Sequence, residues 1–346
     1  MKTSGYLVLI LLSVWSYCAL AQEITEAQRV EIINSVIDQL ANRYVDPNLG
    51  KKAADTIRQK KENQGYDNLE KAKLIQTLIT DMHKATNDKH LQLVDPNAFS
   101  RSTPGRLGNK RPNIQVFNPN AASQSQMNQN KLIQDMLKRM NYGLRDAKVL
   151  DRNIGYLDIR QFVSPRMAPE IFKAIDDTMK TFKDCSAIIL DLRFCSAGGD
   201  PETAMYITSY FFDPEKSILF YESYNREKEK IADFRTRTDI AGKYLPDVPL
   251  YILVGSKTFS AGEMFAYGLQ KIGRAKIVGQ TTAGAAHGTD TIPIGHGIMM
   301  VIPVNRLAHT KTNSNWQGMG VIPDIPAKED DALNTAKDVI LNVKKK

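Results

Sequence analysis

The chain has 346 residues, with hydrophobic residues at 42%, charged residues at 24% and a formal net charge of +8. It is long enough for two domains, and this composition belongs to a chain with a sizeable core, not to a disordered or fibrous one. The positive balance does not mark a nucleic-acid binder, because Lys and Arg are spread along the chain and not gathered in a stripe with aromatics.

Residues 1–21 read as a secretory signal: Lys2 supplies the basic start, Tyr6 to Val14 the apolar stretch, and Ala19-Leu20-Ala21 a small-x-small cleavage site before Gln22. The mature protein is therefore expected to be exported, to a periplasm or beyond. No later segment approaches the roughly 20 apolar residues of a spanning helix, so stable membrane insertion is not expected. Trp15-Ser16-Tyr17 ahead of Cys18 is bulkier than the approach to a lipid-anchored cysteine.

Residues 22–95 read as a small all-α N-terminal domain. Val30, Ile33, Val36, Ile37 and Leu40 form one apolar stripe, and Ile75, Leu78, Ile79 and Met82 another. The alternation of Asn87 to Val94 predicts a strand leaving the helices. Residues 96–150 read as a polar connection, with the Asn-, Gln-, Ser- and Pro-rich part from Pro96 to Asn130 mostly irregular.

From 151 to 346 the pattern is an α/β core. Strands are expected at Ile154–Ile159, Ala187–Leu192, Ser217–Tyr224, Leu250–Val254, Ala275–Val278 and Gly297–Val304. Helices are expected at Pro169–Phe182, Pro201–Phe212, Ala261–Ile272 and Asp331–Val343. Ligands of such sheets gather at the strand ends.

Thr258-Phe259-Ser260-Ala261-Gly262-Glu263 sits where an apolar strand turns into a helix. Ser260 can be an ordinary N-cap with Glu263 as its capping-box partner. Taken alone that is the commoner case, but Ser260 can also be a nucleophile, since the first N–H groups of a helix have no intrahelical acceptor and can hold an oxyanion. Asp191-Leu192-Arg193 through Gly198-Gly199 is a loop whose glycines allow a tight turn with exposed N–H groups, and Asp191 with Arg193 reads as a brace between sheet edge and loop. Gly279 to Gly288 and Trp316 to Asp324 are two further small-residue loops. Cys185 and Cys195 flank a strand that alone separates them by about 20 Å, against the ~6 Å that a disulfide spans, so they are not expected to pair. With no ligand spacing to histidines they give no zinc signature.

Six motifs then stand in order: Asp88-Lys89-His90-Leu91, Asn153 through Leu157, Asp191 through Gly199, Thr258 through Glu263, Val278-Gly279 through His287, and Gly318 through Asp324. In this set the chain resembles the serine peptidases that include the C-terminal processing (tail-specific) proteases, the tricorn protease core and interphotoreceptor retinoid-binding protein. The resemblance covers most of the mature chain, is strongest from Asn153 to Ile325, and leaves no room for a PDZ domain between His90 and Asn153. It implies a crotonase-like core of ββα sheet-and-helix repeats, a peptide or protein substrate, and no metal or cofactor.

The resemblance also implies roles for single residues. Ser260 matches the nucleophile, and the N–H groups of Ala261 and of Gly198 or Gly199 match the oxyanion hole. Ala285 falls where the tail-specific proteases carry a lysine base, so a Ser–Lys dyad is not expected. His90 matches the histidine base of the tricorn-like branch, and an imidazole can take the serine proton and return it to the leaving amine. Gln317 stands where that branch has a glutamate that arranges the site; a neutral amide can orient an imidazole but adds no charge. His287 is a substrate contact, an alternative base or an ordinary loop histidine, while His83, His296 and His309 read as structural. The rival to a peptidase is a catalytically weak or inactive binding module of the same fold, for an apolar ligand or a peptide. The sequence does not reveal the oligomeric state.

Overall fold

The computed structural model describes residues 24–96 and 124–343. The signal sequence expected at 1–21 and most of the irregular stretch expected from Pro96 to Asn130 lie outside the described residues.

Three helices open the fold. Thr25 caps α1 (Glu26–Arg43) through a capping box with Gln28, and Asp46 caps α2 (Pro47–Glu62) with Pro47 in the first turn. The third, α3 (Lys71–Thr86), stops at Asn87, which takes the left-handed conformation at φ 52°. That stop releases Asp88, Lys89 and His90 as a short turn before β1 (Gln92–Val94).

These helices do not close a core of their own, as an independent all-α domain would. Ile32, Ile33, Leu40, Leu74, Leu78 and Met82 share one apolar cluster with Leu93 of β1 and with Ile294, Ile298, Met300 and Ile302. The last four belong to β9 (His287–Gly295) and β10 (Ile298–His309), a hairpin from the far end of the chain. Polar ties follow the same route: Lys71 Nζ reaches Asp95 at 2.6 Å and the His296 carbonyl at 2.9 Å. The stripes read on α1 and α3 are real, but their partner is a sheet.

The stretch expected as a polar connection carries a helix and a strand among its described residues, joined by a short 3-10 turn at Asn141–Gly143. The helix α4 (Gln124–Arg139) buries Leu137 and packs Ile133 on the core, an i, i+4 pair in a sequence rich in Gln, Asn and Lys. Next, β2 (Leu144–Leu150) pairs antiparallel with β3 (Ile154–Ile159). It is an edge strand with mostly exposed side chains, so it lacks the apolar run by which the inner strands are recognised.

The main sheet has six strands in the order β11-β8-β7-β4-β3-β2, where β4 is Ala187–Asp191, β7 Leu250–Val254, β8 Ala275–Gly279 and β11 Ile325–Pro326. All neighbours except β2 and β3 run parallel. Strand residues alternate between two apolar layers. Leu157, Ile188, Leu190, Ile252 and Ile277 face a layer with α5 (Ile171–Met179), α6 (Pro201–Ser209) and α7 (Ala261–Ile272). Tyr156, Ile189, Tyr251 and Val278 face α8 (Ala332–Val343) through Ala332, Ala336 and Ile340. The second sheet is antiparallel, with β1-β10-β5-β6 in order and β9 also on β10; β5 is Leu219–Tyr224 and β6 Lys230–Arg235. Neither β6 nor β9 shows an apolar run in sequence; pairing with β5 and β10 makes them strands. Cys185 and Cys195 are free and buried.

Candidate active site

The carboxyl ends of β4, β7 and β8 place three loops side by side, and the turn after α3 closes over them. The β7–α7 turn is sewn to both neighbours. Thr258 Oγ1 donates to the Leu192 carbonyl at 2.8 Å, Phe259 N to Cys195 O at 3.1 Å, and Ala283 N to Thr258 O at 3.1 Å. Within this frame Ser260 sits at φ 51° and ψ −115°, a conformation that costs a non-glycine residue about 1–3 kcal/mol and persists only where the surroundings impose it.

Glu263 imposes much of it. The side chain is fully buried, and its oxygens accept from Ser260 N at 3.0 Å, Ala285 N at 2.9 Å, Gly284 N at 2.6 Å and Thr282 Oγ1 at 2.5 Å. Burial pushes this carboxyl above the usual glutamate range, against the pull of the donors. Glu263 is thus more than half of a capping box: it clamps the loop after β8 to the serine turn.

Gly198 and Gly199 pack against the same turn. A Cβ on Gly198, at φ +65°, would lie 2.6 Å from Ser260 Cβ, and one on Gly199, at φ +134°, would lie 2.0 Å from the Phe162 carbonyl. Phe162 N donates to Gly198 O and Asp200 N to Phe162 O. In this parallel bridge the N–H of Gly199 itself points away from Phe162. The Ala261 N–H opens α7 and is one of the donors that a helix cannot satisfy internally.

His90 comes from the turn after α3. Its Nε2 is 3.0 Å from Ser260 Oγ, and its ring lies 4.8 Å from the Phe259 ring centroid. The opposite nitrogen, Nδ1, faces Asp88 Oδ1 at 3.5 Å, beyond a good hydrogen bond in the free protein. Asp88 is fully buried. Its Oδ1 accepts the His90 N–H at 3.0 Å, and its Oδ2 accepts from His287 Nδ1 at 2.6 Å and Tyr44 OH at 3.1 Å. Burial alone would raise this carboxyl, but the hydrogen bonds and charges of His287 and His90 hold it well below the usual carboxylate range. Burial and the Asp88 charge push the Tyr44 phenol up.

The sequence-derived candidates therefore divide. Ser260, His90, Ala261, Gly198 and Gly199 lie together. His287 is bound to Asp88, while the serine is met by His90. Gln317 does not meet the His90 ring: its Oε1 accepts from Ala286 N at 2.8 Å. The Trp316 indole donates to Ala285 O at 2.8 Å and sets Gln317 beside that loop, while Asp88 occupies the Nδ1 side of His90. Asp88 is the residue that the sequence reading quoted without a role, and its signal was its place two residues before His90. Asp191 bridges to the Arg193 guanidinium at 2.6 Å. The Cys195 thiol is pushed up to about 12 by burial, which leaves it unreactive.

Three comparisons bear on this arrangement. The model of peptidase family S41 matches residues 153–327, half of the chain. A carboxyl-terminal-processing protease of Picosynechococcus sp. is 29% identical over 177 residues, covering 49% of this chain and 38% of that protease; the chain thus matches well under half of that relative's length. Among solved structures, a lipoprotein from Streptococcus agalactiae aligns with a TM-score of 0.56 at 12% identity, over 92% of this chain and 98% of that one. The tricorn protease aligns with a TM-score of 0.51 at 13% identity, over 92% of this chain and 36% of its own. At such identities the structural likeness speaks for the fold.

Proposed function

The chain belongs to peptidase family S41, and from that membership and the surroundings of Ser260 we propose that it is an exported serine-type peptidase that cleaves peptide bonds by acyl transfer. The observation that carries the reading is the 3.0 Å between Ser260 Oγ and His90 Nε2, within the reach expected of a nucleophile and its base.

Ser260 Oγ attacks the substrate carbonyl as its proton passes to His90 Nε2. The carbonyl oxygen, now an anion, is held by the N–H of Ala261 and of Gly198 or Gly199. Collapse breaks the C–N bond, and His90 delivers the proton to the departing amine. A water molecule then repeats the sequence on the acyl-enzyme, again losing its proton to His90. Asp88 stabilises the imidazolium, its Nδ1 contact tightening from 3.5 Å as the positive charge develops. This supersedes the role expected of Gln317, whose amide instead props the loop at Ala286. The substrate is a peptide or protein, and the signal read at 1–21 delivers the enzyme out of the cytoplasm.

A serine-reactive fluorophosphonate tests the assignment. It should label the wild-type protein at Ser260, with Ser260→Ala unlabelled. Labelling of both proteins to the same extent would remove Ser260 as the nucleophile and favour a binding module of the same fold.

A further inference from the structure

The chemistry assigned above uses a serine, one histidine and one carboxylate, yet a second imidazole lies on that carboxylate. We propose that His287 is a positioning residue for His90, holding Asp88 from behind so that its other oxygen stays aimed at the base. The inference rests on the peptidase reading of Ser260 and His90.

Asp88 Oδ2 takes two donors, His287 Nδ1 at 2.6 Å and Tyr44 OH at 3.1 Å, which leaves Oδ1 for His90. An ionised carboxylate only accepts, so His287 carries its proton on Nδ1. His90 must accept from Ser260 at Nε2 and so also carries its proton on Nδ1. The two imidazoles thus present the same edge to opposite oxygens of one buried group. Without His287, Oδ2 keeps only the longer Tyr44 contact, and the carboxylate, then anchored chiefly by the His90 backbone N–H on Oδ1, can pivot about that bond and away from the His90 ring. Lys89, the lysine of this turn, does not compete for Asp88, because its Nζ is bound to the Ala283 carbonyl at 2.6 Å.

His287 is itself held by the serine turn. Glu263 binds Ser260 N and the N–H groups of Gly284 and Ala285; Gln317 binds Ala286 N; and His287 follows directly. The contacts therefore form a closed ring, from Ser260 through Glu263, the 284–287 loop, His287, Asp88 and His90 back to Ser260 Oγ. The nucleophile and the carboxylate behind its base are located by the same loop. A second histidine on a carboxylate is common enough as a structural brace, so the test must separate alignment of the base from folding.

His287→Ala removes the donor, whereas His287→Asn keeps an N–H close to the position of Nδ1. The readout is fluorophosphonate labelling of the full chain, split into the maximal rate kinact and the half-saturating concentration KI. His287→Ala should lower kinact by about 10–100-fold with KI within about threefold, a fraction of what loss of a general base costs. His287→Asn should recover most of that loss, with both variants assayed well below their thermal midpoints, because His287→Ala leaves buried Asp88 one donor short and should melt the lower of the two. An independent arm is proton NMR: an exchange-protected imidazole N–H resonance should persist in Ser260→Ala and vanish in His287→Asn. Full labelling by His287→Ala, equal impairment of the Ala and Asn variants, or a change confined to KI overturns the positioning role, the last making His287 a ligand contact. A wild-type protein that is not labelled at all removes the peptidase reading and this role together, and the resonance then reports only whether the Asp88–His287 bond exists.

Discussion

Replacing Glu263 with Gln tests the clamp that sets the serine turn. The carboxylate accepts four hydrogen bonds, two on each oxygen. An amide supplies one acceptor oxygen and one NH2. With the NH2 on the Oε1 side, Thr282 can rotate its hydroxyl to accept, but the buried Gly284 N–H is left facing another donor. With the NH2 on the Oε2 side, both Ser260 N and Ala285 N are orphaned. The first arrangement is cheaper, and one orphaned buried N–H costs about 1–3 kcal/mol. The strain of Ser260 at φ 51° is of similar size, about 1–3 kcal/mol; Ser260 N keeps its acceptor in this arrangement, but the rejected Gly284 N–H loosens the loop that backs the clamp, which lets the turn shift and takes Oγ out of line with His90. Glu263→Gln should therefore lower the thermal midpoint by a few degrees and reduce kinact by about tenfold or more. Differential scanning calorimetry and fluorophosphonate kinetics measure the two effects. Wild-type labelling together with an unshifted midpoint would refute the clamp; a lowered midpoint with full labelling would leave Glu263 a fold-stabilising cap with no hold on the nucleophile.

Gly198→Ala puts a Cβ 2.6 Å from Ser260 Cβ at a backbone φ of +65°; it should displace the oxyanion loop and lower kinact by about 100-fold or more, and near-native labelling would place the oxyanion donors elsewhere. Asp88 has a depressed pKa in the folded protein, whereas an unfolded aspartate titrates near ~3.9. Its contribution to stability is thus fully present above about pH 4 and is lost as the pH falls toward the folded value. In urea unfolding the gap between wild type and Asp88→Asn should be wider at pH 5 than at pH 3, and an equal gap at both would show that Asp88 is not held as a buried anion.

The inner strands and the helix after Ser260 were legible because their signals are local. Leu250–Val254 is an unbroken apolar run, and Ala261–Ile272 carries its own periodicity and ends before Gly273, as the structure has it. What was not legible depends on partners distant in sequence. The first residues of β9, His287 and Gly288, fall in the stretch read as a loop, the Thr289-Asp290-Thr291 that follows has no apolar run, and only pairing with β10 makes them a strand. The helix at Gln124–Arg139 reads as a connection because few of its residues are apolar, yet Ile133 and Leu137 suffice to dock it. Asp88 shows no local sign that it will be buried between two imidazoles, one of them 199 residues away. Position matching with relatives brought Gln317 to the base, but a match in position does not say which way a side chain turns. Here the Trp316 indole on Ala285 O decides it.

In the proposed mechanism the base comes from outside the main sheet, and the loop that carries Ala285 accounts for this. Ala285 is fully buried, its N–H is spent on Glu263 and its carbonyl on Trp316. A lysine at this position, which the resemblance to tail-specific proteases would put there, has to bring a four-carbon stem and a charge into a filled, hydrogen-bonded turn, and overpacking of that kind costs about 1–3 kcal/mol before the charge is counted. His90, the base proposed instead, stands on the turn after α3, which is held over the serine by an apolar cluster shared among α1, α3, β1 and the β9–β10 hairpin. The same hairpin begins with His287. Strands β9 and β10 therefore deliver both the support for the His90 turn and the residue behind Asp88, so Ser260 on one sheet meets His90 only when the second sheet and the N-terminal helices have folded onto each other.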